Sequence, residues 1–250
     1  LFRSASWTNI NLRRPLINLL PNVGNIARTE SSATMDYHSL QVVGRRKFAA
    51  GFDFLASYTL GKTLTDNLGY YGSGLTSGEG AYWQNAYDRR SNRGPSFFDV
   101  RSNFTVAGSW FVPVGKGKKF GSGMSKAADL IAGGWNLNYS LAARTGLPIT
   151  VRANDLTGMA VRGNVRANRY RALAINESGR NVDNWFGLPT DSAARGAFFC
   201  AAGVDNGSCA YGQPGNGTFG NSGIGTERGP GYFSTDIDEL TRRKSESRGL

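Results

Sequence analysis

Between Val100 and Val112 the chain reads VRSNFTVAGSWFV, and apolar and polar side chains trade places at nearly every step. Phe104, Val106, Gly108, Trp110 and Val112 fall on one side, and Arg101, Asn103, Thr105, Ala107 and Ser109 on the other. A two-residue period belongs to a β-strand with two unlike faces, because side chains on a helix recur at 3.6. Pro113, which lacks the N–H that a ladder needs, stops the run. The same period recurs elsewhere. In Tyr37–Arg46, Leu40 and Val42 alternate with Ser39, Gln41 and Arg45, with Val43 out of step. In Phe52–Leu60, Phe52, Phe54, Ala56, Tyr58 and Leu60 oppose Asp53, Ser57 and Thr59, with Leu55 the exception. In Gly134–Ala143, Trp135, Leu137, Tyr139, Leu141 and Ala143 oppose Asn136, Asn138, Ser140 and Ala142, and Phe233–Ile237 begins a further run. The short link Lys47–Gly51 between the first two runs predicts a β-hairpin.

Composition agrees with an all-β chain. There are 34 glycines, and aromatic residues make up 12%. Glycine inside a helix costs roughly 1 kcal/mol relative to alanine, so a chain so rich in it is poorly suited to helices. One helical turn is expected, near Ala127–Ile131. No apolar run approaches the roughly 20 residues that a membrane-spanning helix needs. A transmembrane strand needs only about 9–11 residues with one greasy face.

Alternation alone fits both a soluble sandwich and a membrane barrel, since each wets one face of its strands. The connections favour the barrel. They run short after the first strand, very long from Gly61 to Phe98, moderate from Val114, and very long again towards Gly231. Outer-membrane barrels have short periplasmic turns and longer external loops. Aromatic side chains gather near strand ends, with Phe48 and Phe52 at the first turn and Trp110, Phe111 and Trp135 around the second. Such rings belong at the membrane–water boundary. The residues expected to face lipid are Leu40, Val42, Phe52, Phe54, Tyr58, Phe104, Val106, Trp110, Trp135, Leu137, Tyr139 and Leu141.

About five strands do not close a barrel, whose smallest form has about eight. An open sheet leaves backbone groups unpaired in hydrocarbon, at several kcal/mol each. The expectation is therefore an incomplete, antiparallel transmembrane barrel whose partners are outer-membrane lipid and strands not contained in these residues. Leu1, which is not an initiator Met, fits a fragment. The division expected is an irregular segment at 1–36, a partial barrel at 37–237 and a charged non-barrel tail at 238–250.

No residue is expected to be catalytic, and no cofactor or metal is expected. His38 is the sole histidine, and with two cysteines it makes no convincing zinc site. The stretch Gly215–Gly220 matches GxGxxG in form but lacks the strand before and helix after that a dinucleotide site requires. The formal net charge is +11, from 29 Lys+Arg against 18 Asp+Glu. The basic residues are dispersed, with clusters only at turns, loops or ends, and no recognition helix or ribonucleoprotein-type motif accompanies them; nucleic acid is not an expected partner. Cys200 and Cys209 lie in one loop, as a disulfide facing an oxidising exterior or as two unpaired thiols. Tyr70, Tyr71, Tyr82, Trp83 and Tyr87 lie in the first long connection. They stack on an external sugar or peptide, or they pack within the loop or at the membrane edge. Arg101 and Asn103 are placed to contact a plug or a passing solute, or are structural.

Several stretches resemble one family. They are Gly24–Ile26, Tyr37–Val42, Phe54–Leu64 (FLASYTLGKTL), Ser96–Arg101, Phe111–Gly117, Gly133–Trp135, Thr145–Pro148, Gly217–Asn221 and Arg228–Phe233. In order and spacing they resemble the C-terminal barrel portion of Oar-like TonB-dependent receptors, which carry a carboxypeptidase-regulatory-like domain and a plug. The resemblance implies an outer-membrane receptor in a Gram-negative-type bacterium, its external loops binding a substrate, with transport driven through a plug and the TonB complex. Neither plug nor coupling box lies in these residues. The charged stretch Asp238–Leu250 departs from the family's pattern of further strands ending on an aromatic residue. Two rival readings are a soluble or surface β-sandwich that binds carbohydrate and a barrel-anchored adhesion protein.

Overall fold

The computed structural model describes residues 18–22, 30–49, 51–66, 83–85, 87–157, 165–173, 175, 177–181, 183–187, 198–200 and 204–241. The chain divides into two compact units. One, built from His38–Lys62, Val100–Gly146 and Gly231–Leu250, is a sheet; the other comprises Leu1–Tyr37, Thr63–Asp99 and Leu147–Pro230.

In chain order the elements are β1 (Met35–Ala49), β2 (Phe52–Thr65), the short β3 (Gly94–Pro95), β4 (Ser102–Phe111), helix α1 (Lys126–Ala132) and β5 (Trp135–Arg144). There follow five short strands: β6 (Pro148–Ile149), β7 (Asn168–Arg169), β8 (Phe199–Cys200), β9 (Tyr211–Gly212) and β10 (Glu227–Arg228). The last strand, β11, is long (Tyr232–Thr241). The long strands hydrogen-bond in the order β1-β2-β4-β5-β11. Each alternating run of the sequence is thus a strand. Gly51, at φ 80°, makes the tight turn between β1 and β2 that a residue with a Cβ resists.

Register decides the faces. Phe52, Ala56 and Tyr58 of β2 pair with Trp110, Val106 and Phe104 of β4. Those β4 residues pair in turn with Leu137, Leu141 and Ala143 of β5. Leu141 and Tyr139 then meet Thr235 and Ile237 of β11. Directly opposed residues share a face, so the apolar residues expected on β2, β4 and β5 form one continuous surface. A Cβ on Gly44 would lie 3.8 Å from the Phe54 ring, which puts the even positions of β1, Leu40 and Val42 among them, on that surface too. The opposite face carries Asp53, Ser57, Asn103, Thr105, Ser109, Asn138, Ser140, Ser234 and Asp236. None of the large apolar side chains described on these strands is buried, and Leu40, Val42, Tyr58, Phe104, Trp110, Phe233 and Ile237 are exposed. Within this unit the described residues form one sheet, whereas a sandwich requires a second packed on its apolar face.

Two boundaries differ from expectation. The barrel part was expected to end at Ile237 and a non-barrel tail to begin at Asp238, but β11 continues through Thr241, with Asp238 opposite Asn138 and Thr241 opposite Trp135. A ladder is made by backbone N–H and C=O groups, so the loss of side-chain alternation does not end it. Likewise β1 begins at Met35, inside the segment expected to be irregular.

The second unit holds the buried apolar side chains of the described residues. Val165, Ala167, Cys200, Cys209, Ala210, Tyr211 and Ile224 are buried, and Ala167, Ala210 and Tyr211 form a cluster edged by Val151, Leu173, Phe198 and Phe199. Short strands pin it: β9 pairs with β7 and with β8, and β10 with β6.

Candidate functional site

The topology gives the sheet two unlike ends. The β1–β2 turn and the β4–α1–β5 connection leave from one end, and the very long β2–β4 and β5–β11 connections from the other. Most of the second unit is made of those long connections.

Three buried polar hubs order this unit. Asp99 is fully buried; its Oδ1 accepts from the Thr63 N–H at 2.6 Å and its Oδ2 from Arg228 Nη2 at 2.6 Å, while Arg228 Nη1 donates to the Asp99 carbonyl at 3.1 Å. Trp185 Nε1 donates in turn to the Arg228 carbonyl at 2.8 Å. Asp66, just past β2, accepts from the Thr34 N–H at 2.7 Å and from Arg89 Nε at 2.5 Å. Burial pushes the Asp66 carboxyl up, but these hydrogen bonds and the Arg89 charge outweigh it and hold the group below its ordinary value. Arg166, also buried, donates to the Ser222 carbonyl at 2.7 Å, Asn92 Oδ1 at 2.9 Å and the Ser91 carbonyl at 2.9 Å. Gln84 links the same segments, accepting from the Arg166 N–H at 2.6 Å and donating to the Gly220 carbonyl at 2.9 Å. Gly220 is required there, since a Cβ would stand 1.8 Å from the Arg166 carbonyl oxygen.

Cys200 and Cys209 are joined by a disulfide, with Cα atoms 5.7 Å apart. Arg171 donates to the Cys209 carbonyl and, in a fork at 2.8 and 2.9 Å, to both carboxylate oxygens of Asp205 within the closed loop. The guanidinium, followed by the Gly207 N–H, holds the Asp205 carboxyl below its ordinary value. Asp205 lies beside both sulfurs, but sulfurs bonded to each other are not thiolate ligands, so this trio is no metal site. Next to it the Tyr211 hydroxyl meets Glu227 and Thr226; burial first, then the Glu227 carboxylate, pushes its pKa up to about 12.

The five aromatic residues of the first long connection, read as ligand contacts or as packing within the loop, fall into three groups. Tyr70, Tyr71 and Tyr82 lie outside the described residues. Trp83 is tied into the framework, donating to the Asp66 carbonyl at 2.7 Å beneath the Arg89 guanidinium, 5.3 Å from its ring. Tyr87 stands 98% exposed. Nearby, Thr34, Asp66, Arg89, Arg90 and Arg93 line a shallow basic recess. Of the residues named for a plug or solute, Asn103 lies on the polar face and pairs with Arg144; Arg101 precedes β4, its carbonyl accepting from the Gly61 N–H at 2.9 Å.

Asp66, Asp99, Arg166 and Arg228 were not expected as key residues. Asp99 and Arg228 lie in stretches that carry the family resemblance, and that was their one signal. Ion pairs and backbone-bonded arginines order the unit.

No curated protein and no solved structure matches the chain. A family model described as outer membrane beta barrel domain matches residues 2–241. That span takes in every strand, and the family points to the outer membrane. With its one-sided antiparallel sheet, the chain belongs to the outer membrane beta barrel domain family.

Proposed function

We propose that this chain is part of the barrel wall of a TonB-dependent receptor that imports a substrate across the outer membrane of a Gram-negative-type bacterium. The apolar face meets lipid and the polar face lines the lumen. Further strands pair the edges β1 and β11, because a strand edge left open in hydrocarbon forfeits its backbone hydrogen bonds. The short connections are periplasmic, and the long ones are external and bind the substrate. Energy comes through a plug and the TonB complex, and neither catalysis nor nucleic acid has a part.

The observation that carries the reading is the sidedness of the connections, with the long ones knitted by Asp99, Asp66 and Arg166 into an ordered body. A surface pre-ordered by buried hydrogen bonds loses less freedom on binding than a slack loop does. The resemblance to Oar-like receptors supplies the energy-coupled step. The test is a pull-down of the whole native-locus protein with the periplasmic domain of TonB from the same organism. Recovery of a complex is expected. A protein that assembles in the outer membrane and never captures TonB is a surface-adhesion barrel instead.

A further inference from the structure

The β4–β5 connection differs from a plain turn. It carries α1, seven residues long, capped by Ser125, whose Oγ accepts from the Ala128 N–H at 3.2 Å. A helix should hide its apolar residues, yet Leu130 is 81% and Ile131 74% exposed, and Phe120, earlier in the same connection, is exposed too. Lys116, Lys118, Lys119 and Lys126 lie in the same connection, each exposed, with the Lys119 ammonium 5.6 Å from the centre of the Phe120 ring. The one carboxylate in the stretch, Asp129, is occupied in accepting from the Lys116 N–H at 2.5 Å. Arg45, Arg46 and Lys47, also exposed, approach the other turn at this end of the sheet.

This connection is joined to the apolar face. Trp135, the first residue of β5, belongs to that face, and its Nε1 donates to the Ile131 carbonyl at 3.0 Å. Trp110 pairs with Leu137 beside it. The Trp135 indole thus ties the apolar face of the sheet to the helix that carries Leu130 and Ile131.

We propose that the β4–β5 connection is an interfacial anchor on the periplasmic leaflet. Phe120, Leu130 and Ile131 enter the headgroup–acyl boundary, and the four lysines bind the phosphates of anionic phospholipid. Two observations select a lipid surface as the occupant: continuity with the apolar face of the sheet, and charge complementarity of a lysine belt with anionic headgroups. Apolar side chains flanked by lysine are what an interfacial helix presents, and each lysine near an anionic surface strengthens attachment by about fivefold. The inference rests on the barrel orientation of the preceding subsection and adds a lipid site to it.

The two native cysteines are bonded to each other, so an introduced cysteine is the one reactive thiol. The full chain, refolded together with a cysteine-free polypeptide that contributes the missing strands and reconstituted in vesicles of phosphatidylcholine and phosphatidylglycerol, is spin-labelled in separate variants at Phe120→Cys, Leu130→Cys and Ile131→Cys. Phe104→Cys and Leu137→Cys serve as controls on the sheet, and Tyr87→Cys as a control in water. Labels at 120, 130 and 131 should collide with dissolved oxygen more than with a water-soluble nickel chelate, as the sheet controls do and Tyr87→Cys does not. A second measurement compares spin-labelled phosphatidylglycerol with phosphatidylcholine around the protein; K116Q/K118Q/K119Q/K126Q should lose the preference for the anionic lipid. Sheet labels in lipid with connection labels in water overturn the anchor and leave the barrel standing. Sheet labels in water overturn both. A preference for phosphatidylglycerol unchanged in the lysine variant overturns the headgroup site.

Discussion

Asp99 is a carboxylate with almost no water around it, and it is tolerable because a guanidinium and a backbone N–H reach it at 2.6 Å. Taking away one member of a buried pair leaves the other charge without compensation, a loss of about 3–5 kcal/mol when both are buried. Arg228 is one-third exposed, so water recovers part of that. Asp99→Ala should therefore destabilise the second unit by about 2 kcal/mol, read as faster proteolysis in the long connections while the sheet's far-ultraviolet signal holds. Asp66 makes the same unit sensitive to acid. Its carboxyl is held below its ordinary value in the folded chain. Its contribution is thus complete above that value and disappears as the pH falls through the lower folded one. Protease resistance should stay level from neutrality down to about pH 4 and fall below it, and Asp66→Asn, weaker throughout, should show a flatter acid limb. Tyr211 acts at the other extreme. With its pKa moved from 10.0 to about 12, stability should decline as the pH rises from about 10 towards 12, and Tyr211→Phe should abolish that decline.

Within the sheet, the alternation that identifies each strand is interrupted by Gly108, and the register accounts for it. Gly108 lies opposite Phe54 on β2 and Tyr139 on β5. The Tyr139 side chain leans across it, stacking 6.2 Å from the Phe52 ring and donating its hydroxyl to the Asp53 carbonyl at 3.3 Å. A Cβ at 108 would lie 2.6 Å from the Tyr139 hydroxyl and 2.2 Å from the Asp53 carbonyl oxygen. Gly108→Val should therefore displace the tyrosine and loosen the β2–β4–β5 register, at about 1–3 kcal/mol by the usual magnitude of overpacking. Thermal unfolding in detergent measures it, and an unchanged midpoint would refute the ring's role. The strands were legible in the sequence because each displays its own period. Where the pattern failed, as past Ile237, the backbone ladder continued without it. The short strands β6 to β10 gave no periodic signal, since two residues hold no period and their partners lie far along the chain. Arg166 was illegible for a related reason. Set among Val, Asn and Ala it reads as a surface charge, and only the return of Asn92 and Ser222 from distant segments makes it buried.

For the whole chain, the decisive quantity is the apolar area left uncovered. Among the described residues the sheet ends in two edges, β1 and β11, and Phe104, Trp110, Phe233 and Ile237 lie open on one face. Ordinary soluble domains expose neither long unpaired edges nor large contiguous apolar patches. At roughly 25 cal/mol per Å² of apolar surface removed from water, covering that face outweighs any single hydrogen bond in the long connections. The net charge of +11 favours solubility, but it does not cover the greasy face and cannot pair backbone N–H groups at an edge. The face and the edges also respond to different remedies. Detergent covers the first, whereas only added strands satisfy the second. The 250-residue chain should hence sediment as aggregate from detergent-free buffer. In micelles it should show β-rich circular dichroism but remain self-associated through β1 and β11, as analytical ultracentrifugation would show. Refolding it together with a polypeptide that contributes the missing strands should convert the associated species to a single closed particle. A chain that is already monomeric in micelles with every strand amide protected from exchange would mean that β1 and β11 find each other, and the requirement for outside strands would fall.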